Sequence, residues 1–383
     1  MTTTTNAARN CYVAIELSQK SWLIGILRPD DTKVSTRTVG PGDTAALLAE
    51  LEKAVARGQT TVTEPPDYGS LRVCFEAGFD GFWLARFLLD RGIPTLVLDP
   101  SSFLVSRRGR RAKTDRLDVE AMVFTLKAFS LGDKSVCRPV RLPTPAEEDA
   151  KRMSRERGQL KKERTRHVNR IRSLLTLHGV RAVPGLWGGK WRDWLEQLQT
   201  GDGRRLGPFL RREIAREFER LELVTRQLKD LEAERTTACS ADDDVPCAAK
   251  IAVLQKVAGI GEVGATLLVT EVFHRRFQNR RHLASYLGLS PSPYASGAVS
   301  RDQGISKAGN KQARVMLVEL AWCWLKYQPS SRLSQWYRAR FGGSSSRAGK
   351  VGVVALARKL AIALWRFVED GVVPEGARLK CAS

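Results

Sequence analysis

The sequence predicts three parts in succession: a mixed α/β N-terminal domain over 1–143, a basic α-helical arm of coiled-coil type over 144–248, and a mainly α-helical C-terminal domain over 249–383. Three observations predict this. Short apolar runs alternate with helix-period segments before residue 130, the composition turns sharply basic near residue 151, and apolar helical patterning returns after residue 250. A chain of 383 residues is long enough for two or three cores.

In order, residues 1–10 are polar, and Cys11–Glu16 then reads as a buried strand. Ser21–Leu27 and Lys33–Val39 follow closely enough to complete a three-strand meander. A helix over Asp43–Ala56 leads through a Pro/Gly-bearing loop to a fourth strand, Leu71–Glu76. The next helix, Gly81–Arg91, gathers Phe82, Leu84, Ala85, Leu88 and Leu89 on one face. After Gly92 comes a fifth strand, Pro94–Asp99, and a basic loop, Arg107–Lys113, then feeds a helix from Asp115 to Ala128.

The arm begins as a helix whose Lys151–Arg172 stretch carries ten Lys or Arg against two Glu, a charge excess its own acids cannot balance. Ile214, Phe218, Leu221, Val224, Leu228 and Leu231 recur at helical spacing, a stripe for packing within the chain or between subunits. Trp187–Trp194 has no assigned element, and Arg235–Ala249, with Asp242–Asp244 and Pro246, reads as a linker. The last part comprises apolar segments at Ile251–Val257 and Ala265–Val272, a turn-rich stretch at Ser290–Ser306, and helices over Asn310–Leu325 and Val351–Val368.

The 63 Lys and Arg outnumber 41 Asp and Glu, and the net charge of +22 points to a polyanionic partner. No apolar run of about eighteen residues is present, which excludes a membrane-spanning helix. The start, MTTTTNAARN, lacks the apolar core of a secretory signal. Seven scattered cysteines without a CxxC, and four dispersed histidines, argue for a reducing compartment and against a disulfide scaffold or structural zinc.

Four carboxylates stand out. Glu16 ends the first strand, Glu76 ends the fourth, and Asp115 and Asp118 share one face at a helix start. If the first and fourth strands are neighbours, these acids gather at one end of the sheet and need cations between them, the logic of a ribonuclease-H-like two-Mg²⁺ phosphodiester site. Singly, each has an ordinary structural reading as a strand-end acid or a helix cap. Gly259-Ile-Gly261 with Gly264 fits a helix–hairpin–helix turn that can accept a phosphate, or simply a tight turn. Ser296-Gly297 lies among Arg301, Lys307, Lys311 and Arg314. Those cations suit a phosphate, no His/Asp partner is placed for acyl transfer, and a plain turn serine remains the alternative.

Taken together, the patches resemble the insertion-sequence-110 family of DEDD transposases, also described as bridge-RNA-guided serine recombinases. The N-terminal half is similar to its Holliday-junction-resolvase-like (RuvC-like) domain in Tyr12–Glu16, Cys74–Gly78 and Lys113–Asp118. The C-terminal part is similar to its transposase domain in Val257–Gly261, Leu283–Leu289, Ala295–Gly297 and Ile305–Asn310. The resemblance implies that Glu16, Glu76, Asp115 and Asp118 bind Mg²⁺ and act catalytically, and that Ser296 forms a covalent phosphoserine link. The family pattern begins with Asp, whereas this chain has Glu16. It further implies donor and target DNA as substrates, an element-encoded guide RNA, exchange through a four-way junction, and a homo-oligomer (dimer or tetramer) whose site combines acids of one subunit with the serine of another. The residues placed for nucleic acid are Arg107, Arg108, Arg110, Arg111 and Lys113 in the loop, and Lys161, Lys162, Arg166 and Arg170 on the arm. Gly259, Gly261, Lys307, Asn310 and Arg314 follow in the last part. Such a protein works in the bacterial cytoplasm at the nucleoid. A standalone junction resolvase or nuclease, and an inactive nucleic-acid-binding relative, are the competing readings.

Overall fold

Runs of alternating buried residues build a five-stranded sheet: β1 (Cys11–Leu17), β2 (Trp22–Leu27), β3 (Ser35–Val39), β4 (Leu71–Glu76) and β5 (Thr95–Leu98). The computed structural model describes residues 10–56, 68–78, 80–102, 114–181, 183, 189–241, 248–296, 299–343 and 345–380. The chain divides into two units, Met1–Thr144 and Pro145–Ser383. In the first, the strands lie in the order β3-β2-β1-β4-β5. The first three follow one another closely and pair antiparallel. β4 and β5 each arrive through a helical crossover, α1 (Thr44–Ala56) and α2 (Trp83–Leu89), and therefore run parallel to their neighbours.

Both faces of this sheet are covered. Val13, Ile15, Ile24, Val73 and Phe75 pack with Leu47 and Leu51 of α1 and Leu84 and Leu88 of α2. The alternate residues Tyr12, Ala14, Leu27, Cys74 and Leu98 pack with Val119, Met122, Val123 and Leu126 of α3 (Asp115–Ser130). Double-sided burial is why β1 reads as a nearly continuous apolar run. The α3 helix sits close to the sheet because Gly25 has no side chain; a Cβ there would lie 2.1 Å from Val119 Cγ1. Thr114 caps α3, its hydroxyl accepting the Leu117 amide at 3.3 Å.

The second unit opens with α4 (Pro145–Asp149), α5 (Arg152–Thr176), α6 (Trp191–Gln197) and α7 (Pro208–Ala241). Helix α7 runs on past Arg235, so the expected linker is helical as far as Ala241; 242–247 lie outside the described residues. Helices α5 and α7 pack antiparallel. Ile171, Leu174 and Leu175 meet Ile214, Phe218 and Leu221 at one end, and Leu160 meets Val224, Leu228 and Leu231 at the other. The stripe on α7 is thus closed within the chain, each of its six residues being no more than 8% exposed, so it offers no free seam to a second subunit. The unassigned tryptophan stretch yields α6: Trp191 stacks on Phe218 at 4.8 Å and its Nε1 donates to Glu222 at 2.7 Å.

The remaining elements are α8 (Ala248–Gln255), α9 (Glu262–Leu268) continuing as a π-helical turn (Val269–Phe273), α10 (Arg280–Tyr286), β6 (Pro291–Ser296), β7 (Val299–Ile305), α11 (Lys311–Tyr327), α12 (Arg332–Phe341) and α13 (Ser346–Asp370). Leu317, Ala321 and Trp324 of α11, Leu356, Leu360 and Leu364 of α13, and Leu268 form their common core. The stretch expected as turns is an antiparallel hairpin, β6–β7. Its prolines are tolerated because a two-stranded ribbon consists only of edges. Among the described residues no helix is long and apolar enough to cross a membrane.

Candidate active site

β1 and β4 pair in parallel with Ile15 opposite Phe75. The next residues, Glu16 and Glu76, therefore stand side by side at the C-terminal ends of adjacent strands, with a backbone spacing of about 4.8 Å. Both share the parity of Ala14 and Cys74, hence the α3 face, and both are half-buried. On α3, Asp115 and Asp118 continue the stripe of Val119, Met122, Val123 and Leu126 by one turn. Asp118 is half-buried and Asp115 exposed. The four acids lie as two pairs on one side of the sheet. Among the described residues no group of three or more His, Cys, Asp or Glu side chains stands close enough to hold a metal ion.

Ser296 is the last residue of β6, opposite Val299 at the end of the hairpin where the chain crosses from β6 to β7; Gly297 lies outside the described residues. The base of the hairpin is tied down by backbone bonds: the Ser306 amide donates to Ser290 O at 2.9 Å, Lys307 to Gly288 O at 3.1 Å, and Asn310 to Tyr286 O at 2.8 Å. The approach requires glycine twice. With φ of +65° and +97°, a Cβ would lie 2.0 Å from Ala308 O at Gly288 and 2.2 Å from Tyr286 O at Gly309. Lys307, at φ 57°, is the one non-glycine residue with positive φ among those described.

Glu271, which the sequence reading passed over, holds this closure together. It is 1% exposed, within the π-helical turn. Its Oε2 accepts Asn310 Nδ2 at 2.8 Å, its Oε1 accepts Arg155 Nε at 3.0 Å, and its backbone oxygen accepts the Tyr286 hydroxyl at 2.8 Å. An acid inside the apolar run Leu267–Phe273 is the signal that would have found it, since such a group is buried only with partners.

The other sequence-predicted residues fall into four groups. Asn310 and Arg314 are engaged inside the protein: Asn310 Oδ1 caps α11 through the Ala313 amide at 3.0 Å, and Arg314 Nη1 donates to Leu287 O at 2.9 Å. On the arm, Arg170 pairs with Glu213 at 2.7 Å, whereas Lys161, Lys162 and Arg166 are exposed. Gly259, at φ +90°, makes the turn before α9, and Gly261 is that helix's N-cap. The turn's carbonyls are occupied, Gln328 Nε2 donating to Ala258 O at 2.8 Å and Lys380 Nζ to Ile260 O at 2.9 Å. Arg107, Arg108, Arg110, Arg111 and Lys113 lie outside the described residues.

Comparison with known proteins finds matches in both units. Residues 13–179 match a family model described as "Transposase", of the IS110 DEDD class, and residues 251–335 match "Transposase IS116/IS110/IS902 family". The chain is 44% identical over 382 residues to "Putative transposase y4rJ" of Sinorhizobium fredii, covering 96% of this chain and 94% of that protein. It is 28% identical to the transposase for insertion sequence element IS1328 of Yersinia enterocolitica, over 84% of this chain and 91% of the relative. The transposase for IS1111A of Coxiella burnetii is 26% identical, over 74% and 73% respectively. Relatives of this coverage span both units, which sets aside a standalone resolvase. The chain belongs to the IS110/IS116/IS902 family of insertion-sequence transposases, enzymes that cleave and rejoin DNA.

Proposed function

We propose that this transposase uses Glu16, Glu76, Asp115 and Asp118 as oxygen ligands for Mg²⁺ and Ser296 as the nucleophile. The observation that carries the reading is the register of β1 on β4, which sets Glu16 beside Glu76 on the face that α3 covers. Carboxylates at adjacent-strand spacing favour a cation between them, and Mg²⁺ takes hard oxygen donors of this kind. When bound, the ion supplies charge neutralisation at the phosphodiester. Glu16, standing where the family pattern has Asp, keeps the charge and the reach to that ion. The order β3-β2-β1-β4-β5 supports a ribonuclease-H-like fold for the first unit.

The serine step balances without a nucleotide cofactor. The Ser296 Oγ–P bond forms as one P–O bond of the DNA backbone breaks, and the hydroxyl proton ends on the leaving oxygen. Attack by another strand's hydroxyl then reverses the step and frees the serine, giving exchange through a four-way junction. Acids from one subunit act with the serine of another, so the working form is a homo-oligomer in the bacterial cytoplasm at the nucleoid. Exposed Lys161, Lys162 and Arg166 bind nucleic-acid backbones, and sequence is read by pairing with an element-encoded RNA. A strand-exchange assay with the element's noncoding RNA tests this. Ser296→Ala should abolish exchange and leave DNA binding intact, whereas full activity in that variant refutes the serine assignment.

A further inference from the structure

Five cations with no carboxylate partner among the described residues line one groove of the second unit. Arg280 and Arg281 come from the first turn of α10, Lys307 from the loop after β7, and Arg358 and Lys359 from the middle of α13. None of the five makes an ion pair among the described residues. Several other cations of the unit are paired, as in Arg155–Glu271, Arg170–Glu213 and Lys250–Glu369. Among the described residues no Asp or Glu lines this groove, whose volume is about 690 Å³. Its floor is apolar, formed by Val354 and Ile362 of α13 with Leu289. Trp336 of α12 forms a side wall, with Lys359 Nζ 4.6 Å from its ring centroid. The opposite wall is the base of the β6–β7 hairpin, from Pro291 to Gly304 and Ile305.

Clustered like charges repel one another, and this cluster has an anion-sized opening where its acids would be. A duplex would bring phosphates to the rim but keep its base faces stacked away from the floor. An unpaired strand satisfies both surfaces, with phosphates on the cations and a base against Trp336 and the aliphatic floor. Ser296 lies five residues along β6 from Pro291, about 17 Å at strand rise. A strand seated in the groove is therefore within a few nucleotides of the hairpin's far end.

We infer that this groove is a docking site for an unpaired DNA strand. The inference rests on the family's DNA-cleaving reaction and stands whether or not Ser296 is the nucleophile. The full chain is titrated by fluorescence anisotropy with a twelve-nucleotide single-stranded DNA, the same sequence as RNA, and the DNA duplex, each at several salt concentrations. Removing two phosphate contacts with Arg281→Ala plus Arg358→Ala should lower the slope of log affinity against log salt by about 1.4 on single-stranded DNA. The duplex slope should not change. Trp336→Ala should weaken single-strand binding by about 5- to 150-fold, and Trp336→Phe by much less. Because Trp336→Ala also removes packing, photocrosslinking of a 5-iododeoxyuridine strand to the unaltered protein is the second readout, with the adduct expected on the Trp336 peptide. An unchanged single-strand slope, an equal loss on duplex or RNA, or an adduct confined to α5 overturns the inference. Ser296→Ala should leave all these binding values as they are, so this inference and the serine assignment fail separately.

Discussion

Replacing Gly25 with alanine is expected to lift α3 from the sheet and to disable catalysis before it disturbs DNA binding. The new Cβ would lie 2.1 Å from Val119 Cγ1, 3.1 Å from Val34 Cγ1 and 3.3 Å from Val123 Cγ2. Carbon atoms prefer a separation of about 3.5–4.0 Å, so the helix and strand must part by more than about 1 Å at this point. β2 cannot yield readily, since Gly25 is held between Ala14 of β1 and Thr36 of β3; the helix moves instead. Overpacking of this size costs about 1–3 kcal/mol, a fall in Tm of roughly 3–10 °C. Asp115 and Asp118, the metal ligands proposed above, ride on the displaced helix, and in that role a misplacement of about 1 Å costs on the order of 10²-fold in rate. Calorimetry and a strand-exchange assay read the two effects. Adding Val119→Ala removes the clashing methyl and should recover most of both losses, although alone it opens a cavity worth about 2 kcal/mol. Wild-type melting of Gly25→Ala, or strictly additive losses in the pair, refutes the seating of α3 on Gly25.

Three further outcomes follow from packing in the second unit. Burial pushes the Glu217 carboxyl up, but the His167 hydrogen bond at 2.7 Å and the Arg220 pair outweigh it and hold the group below its ordinary 4.5. A carboxyl lowered on folding contributes stability above its unfolded pKa and loses it as pH falls through the folded one. Melting of the arm should therefore weaken on acidification below about pH 4.5 in the parent and less so in Glu217→Gln, and identical acid profiles would contradict this. Trp191→Ala removes the stack on Phe218 and the donor to Glu222, and should cost about 3–5 kcal/mol by chemical denaturation, with a change under about 1 counting against it. Asn310→Ala removes a cap and strips a donor from buried Glu271, a loss of about 2–4 kcal/mol. Asn310→Asp preserves the cap but sets a like charge beside Glu271, so full stability in that variant would show that the carboxylate does not depend on this donor.

The N-terminal sheet was legible because burial on both faces writes each strand as a dense apolar run, and because Glu16 and Glu76 interrupt two such runs at their ends. Their adjacency depended on strand order, which the helical crossover before β4 decides and local patterning does not. The β6–β7 hairpin stayed hidden behind Pro291, Pro293 and Gly304, which read as turns yet suit a ribbon with two free edges. α10 and α12 were missed although both carry readable caps, Asn279 Oδ1 accepting the Arg281 amide at 2.9 Å and Ser331 accepting the Ser334 amide. Each is only two or three turns long, and its apolar residues find their partners in distant helices. Glu271 and the five groove cations share that difficulty: their meaning lies in which residues come together across α5, α10 and α13, and no single window of sequence contains it.

The most direct measurement traps the DNA–protein adduct on a nicked substrate and locates it by mass spectrometry. A phosphodiester on Ser296, formed with Mg²⁺, absent in chelator and lost in Glu76→Gln, is the predicted result. An adduct on another side chain, or strand exchange proceeding at full rate in Glu76→Gln, would contradict the pairing of strand-end carboxylates with the hairpin serine.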